Sequence, residues 1–314
     1  MKYYLSAILG FAIWGTFPLV LRPLAEFGAL HILIYRVIFA TISIVLACLI
    51  FRRKQTLSSL NYIKTSSPQV RKSLLINVTA SAILLGLNWF LFIYVMNTIS
   101  VNATSLAYLI CPILTTVIAW AFLNERLNRG QWFAVLLSVV SCIMLAYGHF
   151  MDLLYSMLVA ITYATYLILQ KNKFQLDRFF TLTIHIVVST ILLLPIFSFI
   201  DTTTTLTNEF YGLVLVIAIG YTIIPLFLNI FALKELDSSI VGVLMYLNPI
   251  ISFLLAIFYY NESIQTLQIL AFVLIFIAVI IFNVSYVLQR KRNAELILNL
   301  TKKPIGGDRD SGKL

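Results

Sequence analysis

Eight side chains that can bind a small polar molecule lie inside long apolar stretches of this 314-residue sequence. They comprise one cation, three amides and four aromatic residues with a polar atom: Trp14, Arg36, Asn88, Tyr108, Tyr163, Asn229, Tyr246 and Asn248. Hydrogen-bonding groups, stacking surfaces and a single positive charge suit reversible binding. Helix contacts are the alternative use, because an amide buried in an apolar medium needs a partner and a neighbouring helix can supply it.

Arg36 is the charged side chain whose position needs the most explanation. It lies about five residues into the second apolar stretch, roughly 7–8 Å below the membrane edge at the rise of an α-helix. A charge at that depth is costly and by default faces protein or a water-filled cavity. We therefore expect Arg36 to bind an anionic or polar substrate group, or to pair with Glu26 as a gate. A structural side chain that snorkels to the interface is the alternative.

Residues for catalysis or metal binding do not form recognisable motifs in this sequence. The histidines and cysteines are scattered, without the spacing of a metal site or a redox pair: His31, His149, His185, Cys48, Cys111 and Cys142. The sequence contains no HExxH motif of zinc proteases, no GxSxG motif of serine hydrolases and no nucleotide-binding P-loop. We expect no enzyme activity, no cofactor and no metal. His185 is the one candidate for proton linkage, with simple packing as the alternative.

Composition dictates the elements that must position these residues. Hydrophobic residues make up 61% of the chain and charged residues 11%, against about 25% charged in an average soluble protein. A membrane-spanning helix needs about 20 mostly apolar residues. Ten such stretches lie at 3–22, 31–51, 73–95, 101–122, 131–149, 153–170, 179–200, 210–232, 239–260 and 265–288. The sequence therefore predicts an all-α integral membrane protein with ten transmembrane helices.

The distribution of basic residues predicts the orientation. With the N-terminus inside, 20 of the 22 Lys and Arg residues fall in cytoplasmic segments, as the positive-inside rule requires. Both termini are then cytoplasmic. The net charge of +10 reflects sidedness, so we expect no nucleic-acid partner. The basic tail, 289–314, is expected to be disordered and to lie near anionic lipid headgroups.

An internal repeat relates the two halves of the chain. At an offset of 137 residues, segment 88–137 matches segment 225–274 without gaps. In both copies a proline is followed by an Asn-Glu pair: Pro112 precedes Asn124-Glu125, and Pro249 precedes Asn261-Glu262. The copies begin five helices apart, an odd number, so they cross the bilayer in opposite directions. Inverted repeats of this kind are typical of secondary transporters.

These residues resemble the drug/metabolite transporter superfamily of ten-helix permeases, which are built from two EamA-type repeats of five helices. Within it the chain is most similar to the RarD-like branch. The resemblance is carried by residues 14–18, 35–37, 87–94, 105–108, 124–127, 225–226, 246–249 and 261–262. It implies a first repeat over 1–149 and a second over 150–288. The chain departs from the family at Tyr35, where the family tends to have histidine, and at the neutral residues 102–104, where it tends to have an acid.

The resemblance also places candidate moving parts around a central cavity. Four prolines lie on the helices that would surround it: Pro18, Pro112, Pro225 and Pro249. Each removes a backbone hydrogen bond and permits a kink, so we expect hinges or gates, with helix shape for packing as the alternative. Glu125 and Glu262 mark equivalent helix ends and are expected to hold the adjacent loop and helix by capping or ion pairing.

The function that follows is secondary transport of a small amphipathic metabolite or drug-like compound by alternating access. We expect a monomer or homodimer in the cell (plasma or inner) membrane, with membrane lipid and a small-molecule substrate as its partners. A membrane receptor or scaffold would not need an inverted repeat. An intramembrane transferase would need catalytic groups converging at the membrane face.

Overall fold

Helices form the regular elements throughout the described part of the chain. This computed structural model describes residues 1–98, 101–147, 150–171, 174–199, 205–261 and 266–302. Backbone N–H and C=O groups find no water inside a bilayer, so a long apolar segment satisfies them within a helix. Ten segments are long and apolar enough to cross a membrane: Lys2–Leu24, Ala29–Phe51, Pro68–Val95, Leu106–Leu123, Arg129–Ala146, Met151–Gln170, Arg178–Phe199, Asn208–Ala232, Ser238–Phe258 and Thr266–Gln289. The prediction of an all-α protein with ten spans is confirmed.

Four of the spans are interrupted next to a proline. The first span divides into Lys2–Gly15, Pro18–Leu21 and a 3-10 turn at Arg22–Leu24. The seventh divides into Arg178–Leu193 and a 3-10 segment at Leu194–Phe199, which contains Pro195. The eighth divides into Asn208–Ala218, a π-helical turn at Ile219–Ile223 and Ile224–Ala232. The ninth divides into Ser238–Leu244 and Leu247–Phe258. Proline causes such breaks because it lacks the N–H group and its ring clashes with the carbonyl four residues earlier. The helix Val101–Leu123, by contrast, runs through Pro112.

The spans pack in a regular pattern around the centre of the molecule. The fourth packs against the sixth and ninth, the first against the eighth and ninth, and the third against the sixth and seventh. The second packs against the seventh and eighth, and the fifth packs against the tenth. Small residues allow close approach: Gly242 lies against Thr115, and Gly15 against Ile251.

One amphipathic helix, Arg53–Thr65, connects the second and third spans. Its buried residue, Ser59, accepts a hydrogen bond from the backbone N–H of Asp177 at 3.1 Å. The Asp177 carboxylate in turn forms an ion pair with Arg52 at 2.7 Å. Asp177 also caps the seventh span by accepting from the Phe180 N–H. These contacts tie the helix to the connection between the sixth and seventh spans.

The last helix is longer than the sequence indicated. It runs from Thr266 to Lys302, so the segment from residue 289 to 302 is helical and not the disordered tail that we expected. The physical reason is local, because residues 289–302 contain neither Gly nor Pro and are rich in good helix formers. Residues 303–314 lie outside the described part of the chain.

Candidate functional site

A cavity of about 680 Å³ lies among the spans. Six of the eight predicted binding residues line it: Trp14, Arg36, Asn88, Tyr108, Tyr163 and Asn248. The lining comes from the end of the first span and the start of the fourth and tenth, so the cavity lies in the half of the molecule away from the N-terminus. Its volume is within the range of pockets that hold drug-sized molecules.

Trp14 is positioned by a backbone carbonyl that a proline leaves free. Its indole Nε1–H donates to the carbonyl oxygen of Tyr221 at 2.7 Å. In a regular helix that carbonyl would accept from the residue four positions later, which is Pro225 and has no N–H. The Trp14 ring also meets the Tyr163 ring edge-on, with centroids 5.9 Å apart. The break in the eighth span therefore orients an aromatic wall of the cavity.

Asn88 joins the third span to the sixth. Its side-chain N–H groups donate to the carbonyl of Val159 at 2.9 Å and to the hydroxyl of Thr162 at 3.0 Å. Both donors of the amide are thereby used within the protein. Of the two interpretations of this residue, the structure gives direct evidence for the helix contact, at the margin of the cavity.

Arg36 reaches the cavity from the second span. Its guanidinium lies over the Trp89 ring, 5.3 Å from the centroid, in the range of a cation–π contact. Its Nε atom is buried and has no hydrogen-bond partner. Glu26 is exposed, and the structure contains no ion pair between it and Arg36. Among the described cavity-lining residues, Arg36 is the one with a charge.

Aromatic side chains provide much of the remaining wall. Tyr108 packs on Phe92, with ring centroids 5.6 Å apart, and both line the cavity. The fourth span carries Tyr108, Pro112 and Thr115 on one helical face, and this face has two different environments. Tyr108 faces the cavity, whereas Thr115 is fully buried against Gly242 of the ninth span.

Asn248 and Ser252 lie four residues apart on one face of the ninth span, and both line the cavity. The Ser252 hydroxyl donates to the carbonyl of Gly15 at 2.9 Å. A Cβ atom at Gly15 would lie 3.2 Å from the Asn248 carbonyl and 2.6 Å from the Cβ of Ile251. The first and ninth spans therefore touch at the point where the first helix ends.

Two predicted binding residues lie outside the cavity. Asn229 is 1% exposed and buried beside Gly10 and the Tyr163 side chain. Tyr246 is also 1% exposed and borders a much smaller void next to Pro112. The structure does not bring these two into the cavity lining, and a role for them in substrate binding stays a prediction. Position within an apolar span indicates depth in the membrane, but not which side of the helix faces the cavity.

The four prolines divide in the same way. Pro18 and Pro249 line the cavity. The Pro225 carbonyl instead lies close to Gly10, where the first and eighth spans meet. The Pro112 carbonyl lies close to Gly242, where the fourth and ninth spans meet. All except Pro112 stand next to a helix break. The hinge or gating role of these prolines remains a prediction.

Glu125 caps a helix from the other half of the chain. Its carboxylate accepts hydrogen bonds from the backbone N–H groups of Ser238 at 2.7 Å and Ser239 at 3.0 Å, and from the Ser239 hydroxyl. These N–H groups belong to the first residues of the ninth span, and the first N–H groups of a helix have no acceptor within the helix. The positive end of the helix dipole there also favours a negative charge. The repeat-equivalent Glu262 lies outside the described residues.

Several lining residues escaped the sequence prediction, and all of them except Gln268 are ordinary aromatic side chains. They are Phe17, Trp89, Phe92, Tyr221, Phe253, Gln268 and Phe272. Trp89 directly follows Asn88, and Phe92 lies four residues after it. Both belong to the segment 87–94 that carries the family resemblance, which was an available signal. Phe253 and Phe272 stack face to face with centroids 3.9 Å apart, an arrangement between the ninth and tenth spans that no local pattern indicates.

The sequence and the fold were compared with known proteins. A model of the "EamA-like transporter family" matches residues 1–147 and again residues 151–284. An uncharacterized transporter of Vibrio cholerae is 31% identical over 294 residues, covering 90% of this chain and 92% of the relative. Protein RarD of Escherichia coli is 27% identical over 299 residues, covering 93% and 97%.

A solved protein structure has the same fold. It superimposes with a TM-score of 0.69 at 13% sequence identity and covers 89% of this chain and 95% of its own. The two family matches together span nearly the whole membrane part, which confirms the resemblance drawn from the sequence motifs. The chain is a multi-pass membrane protein and belongs to the EamA-like transporter family.

Proposed function

We propose that this protein is a secondary transporter that moves a small amphipathic metabolite or drug-like compound by alternating access, without catalysis. The observation that carries the proposal is the cavity of about 680 Å³, whose wall comes from both halves of the chain. Trp14 and Tyr108 come from the first half, and Tyr163 and Asn248 from the second. A site at the junction of two halves is exposed to each side in turn when the halves rock against each other.

We propose further that the two halves are inverted repeats, approximately 1–149 and 150–288. Two matches to one family model support this. The packing pattern supports it too. When each span is replaced by the one five positions away, every pair of packed spans described above becomes either itself or another pair of the same set. Asn124 and Asn261 also share a left-handed backbone conformation, with φ of 55° and 52°.

The proposed orientation has both termini in the cytoplasm of a cell or inner membrane. The cavity then lies towards the external side, because the odd-numbered spans contribute mostly from their later halves and the second, fourth and tenth spans contribute near their beginnings. The sixth and eighth spans contribute residues at or beyond their middles. The bond of Glu125 to Ser238 and Ser239 then lies on the cytoplasmic side. We infer that this structure is an outward-facing state whose cytoplasmic side is closed.

The driving force is proposed to be the substrate gradient, in facilitated diffusion or exchange. Within the described lining of the cavity no Asp, Glu or His is present, although proton-coupled carriers usually hold an ionisable group there. The alternative is proton coupling through His185. That side chain is fully buried, and its Nδ1 lies 3.5 Å from the Tyr166 hydroxyl, away from the cavity.

Transport can be tested in two steps. Mass spectrometry of cells and medium, after deletion and after overexpression, identifies compounds whose distribution depends on the protein. The purified protein is then reconstituted in liposomes, and uptake of those compounds is measured with and without a pH gradient, with protein-free liposomes as the control. We expect uptake that saturates and does not require the gradient.

The same assay separates the alternatives. A receptor or scaffold would bind a compound without moving it, and a transferase would release a chemically altered product. Uptake that occurs only with an inward proton gradient and is lost in His185→Gln would contradict gradient-independent transport. The absence of uptake above that of protein-free liposomes for all identified compounds would contradict the transporter function itself.

A further inference from the structure

The charge of the cavity is unbalanced in the described part of the chain. Arg36 is the sole charged side chain in that lining, and no acid of the described residues lies within ion-pair distance of it. The ionisable side chain close enough to interact with it electrostatically is Tyr108, whose phenol is neutral at physiological pH. A guanidinium in this setting is costly unless a ligand or solvent compensates it.

The side chain is oriented to receive a ligand. Its guanidinium rests on the Trp89 ring, which holds the plane of the group without consuming its N–H donors. Its Nε–H is buried without a hydrogen-bond partner. A guanidinium presents its donors as a planar fork that matches the two oxygens of a carboxylate.

Two neighbouring polar groups are already used within the protein. The Asn88 N–H groups bind Val159 and Thr162, and the Trp14 N–H binds the Tyr221 carbonyl. Other polar side chains of the lining, such as Tyr163 and Asn248, are uncharged. Strong recognition of a charged group is therefore concentrated at Arg36, and the aromatic and apolar part of the wall suits an apolar or aromatic body.

We propose that the substrate is an organic monoanion: a carboxylate, bound by Arg36, on an aromatic or apolar body. This inference rests on the transporter function proposed above and names its substrate class. A single cation suits a single negative charge, whereas a phosphate monoester carries about −1.5 to −2 at neutral pH. An amine would bring a second positive charge into a lining where the described residues offer no acid to pair with it.

Three compounds with one body and different charges test the proposal: indole-3-propionate, its primary amide and tryptamine. Binding is measured by equilibrium dialysis against the full-length protein in lipid nanodiscs, with protein-free nanodiscs as the blank for partition into lipid. We expect the carboxylate to bind about tenfold or more tightly than the amide or the amine, a difference of about 1.4 kcal/mol. Equal binding of the three, or no binding of the carboxylate, would overturn the proposal.

Variants of Arg36 test whether this side chain causes the preference for the carboxylate. Arg36→Gln is expected to weaken carboxylate binding by about tenfold or more and to leave amide binding within about twofold. Arg36→Lys keeps the charge but loses the fork, so its carboxylate affinity should fall between the two. The matched control is Arg53→Gln, which removes one charge from the exposed helix outside the cavity. Unchanged carboxylate binding in Arg36→Gln would contradict the assignment.

Two features of the design keep the test decisive. The ranking of the three compounds by the wild-type protein needs no variant, so it stands even where Arg36→Gln does not fold. Transport of neutral or cationic compounds with none of carboxylates would overturn this inference and leave the transporter function in place. Absence of transport for every compound identified by metabolite profiling would overturn the transporter function instead.

Discussion

The carboxylate of Glu125 accepts two hydrogen bonds from Ser239, one from its backbone N–H at 3.0 Å and one from its hydroxyl. A third comes from the Ser238 N–H at 2.7 Å. The partners are separated by more than 110 residues along the chain. One side chain at the end of the fourth span thus completes the start of the ninth.

Removing this carboxylate is expected to destabilise the protein. Glu125→Ala leaves the Ser238 and Ser239 N–H groups without an acceptor, and a charge-assisted bond of this kind contributes about 1.5–3 kcal/mol. Glu125→Gln keeps neutral acceptor capacity and should cost less. The measurement is unfolding by SDS in mixed micelles. The matched control, Glu235→Ala, removes an exposed acid nearby, and equal effects of the two Ala variants would contradict the capping role.

Close packing at Gly242 provides a second prediction. A Cβ atom there would lie 2.9 Å from the Cβ and Cγ2 atoms of Thr115, so Gly242→Ala must push the fourth and ninth spans apart. We expect a loss of about 1–3 kcal/mol, the usual cost of overpacking, measured by the same unfolding assay. Gly212→Ala is the matched control, because nothing lies within 4 Å of its added Cβ. That variant should be neutral or slightly stabilising, since Ala is the better helix former.

The contact between Asn88 and Thr162 can be isolated by a double-mutant cycle. Asn88→Leu removes the bonds to the Thr162 hydroxyl and the Val159 carbonyl. Thr162→Val removes the first of these, together with the bond that the Thr162 hydroxyl itself donates to the Val159 carbonyl. Because both variants delete one shared bond, their effects on unfolding should not add, with a coupling of about 0.6 kcal/mol, typical of polar pairs between membrane helices. Additive effects would show that the two side chains do not interact in the membrane.

Sidedness can be measured by cysteine labelling. The native cysteines, Cys48, Cys111 and Cys142, are buried and should not react. We expect a membrane-impermeant maleimide to label exposed Glu26→Cys in intact cells, and to label exposed Lys54→Cys only after permeabilisation. Labelling of Lys54→Cys but not Glu26→Cys in intact cells would reverse the proposed orientation.

The sequence was most informative for properties that depend on a residue's own type and on its neighbours along the chain. Hydropathy predicted all ten spans because an apolar segment in a bilayer has no alternative to a helix. Arg36 was recognisable because a charge inside a span is rare and expensive. Asn248 was recognisable because an amide within an apolar span needs a hydrogen-bond partner.

Properties that depend on packing between distant segments could not be predicted. Asn229 and Tyr246 have the same residue types and depth as true lining residues, but their helices turn them into the protein interior. The partners of Glu125 lie in the other half of the chain, so no local spacing indicates them. The free carbonyl of Tyr221 depends on Pro225, but its use by Trp14 depends on how the first and eighth spans meet.

The π-helical turn at Ile219–Ile223 bears on how such a protein could acquire new substrates. A π turn contains one residue more than an α turn, and this one carries Tyr221, whose carbonyl binds Trp14 and whose hydroxyl lies 3.1 Å from that of Thr16. Deleting one residue here would restore regular winding and rotate the preceding segment by about 100°. The insertion or deletion of one codon would then change which side chains of the eighth span face the cavity, without a substitution in any other helix.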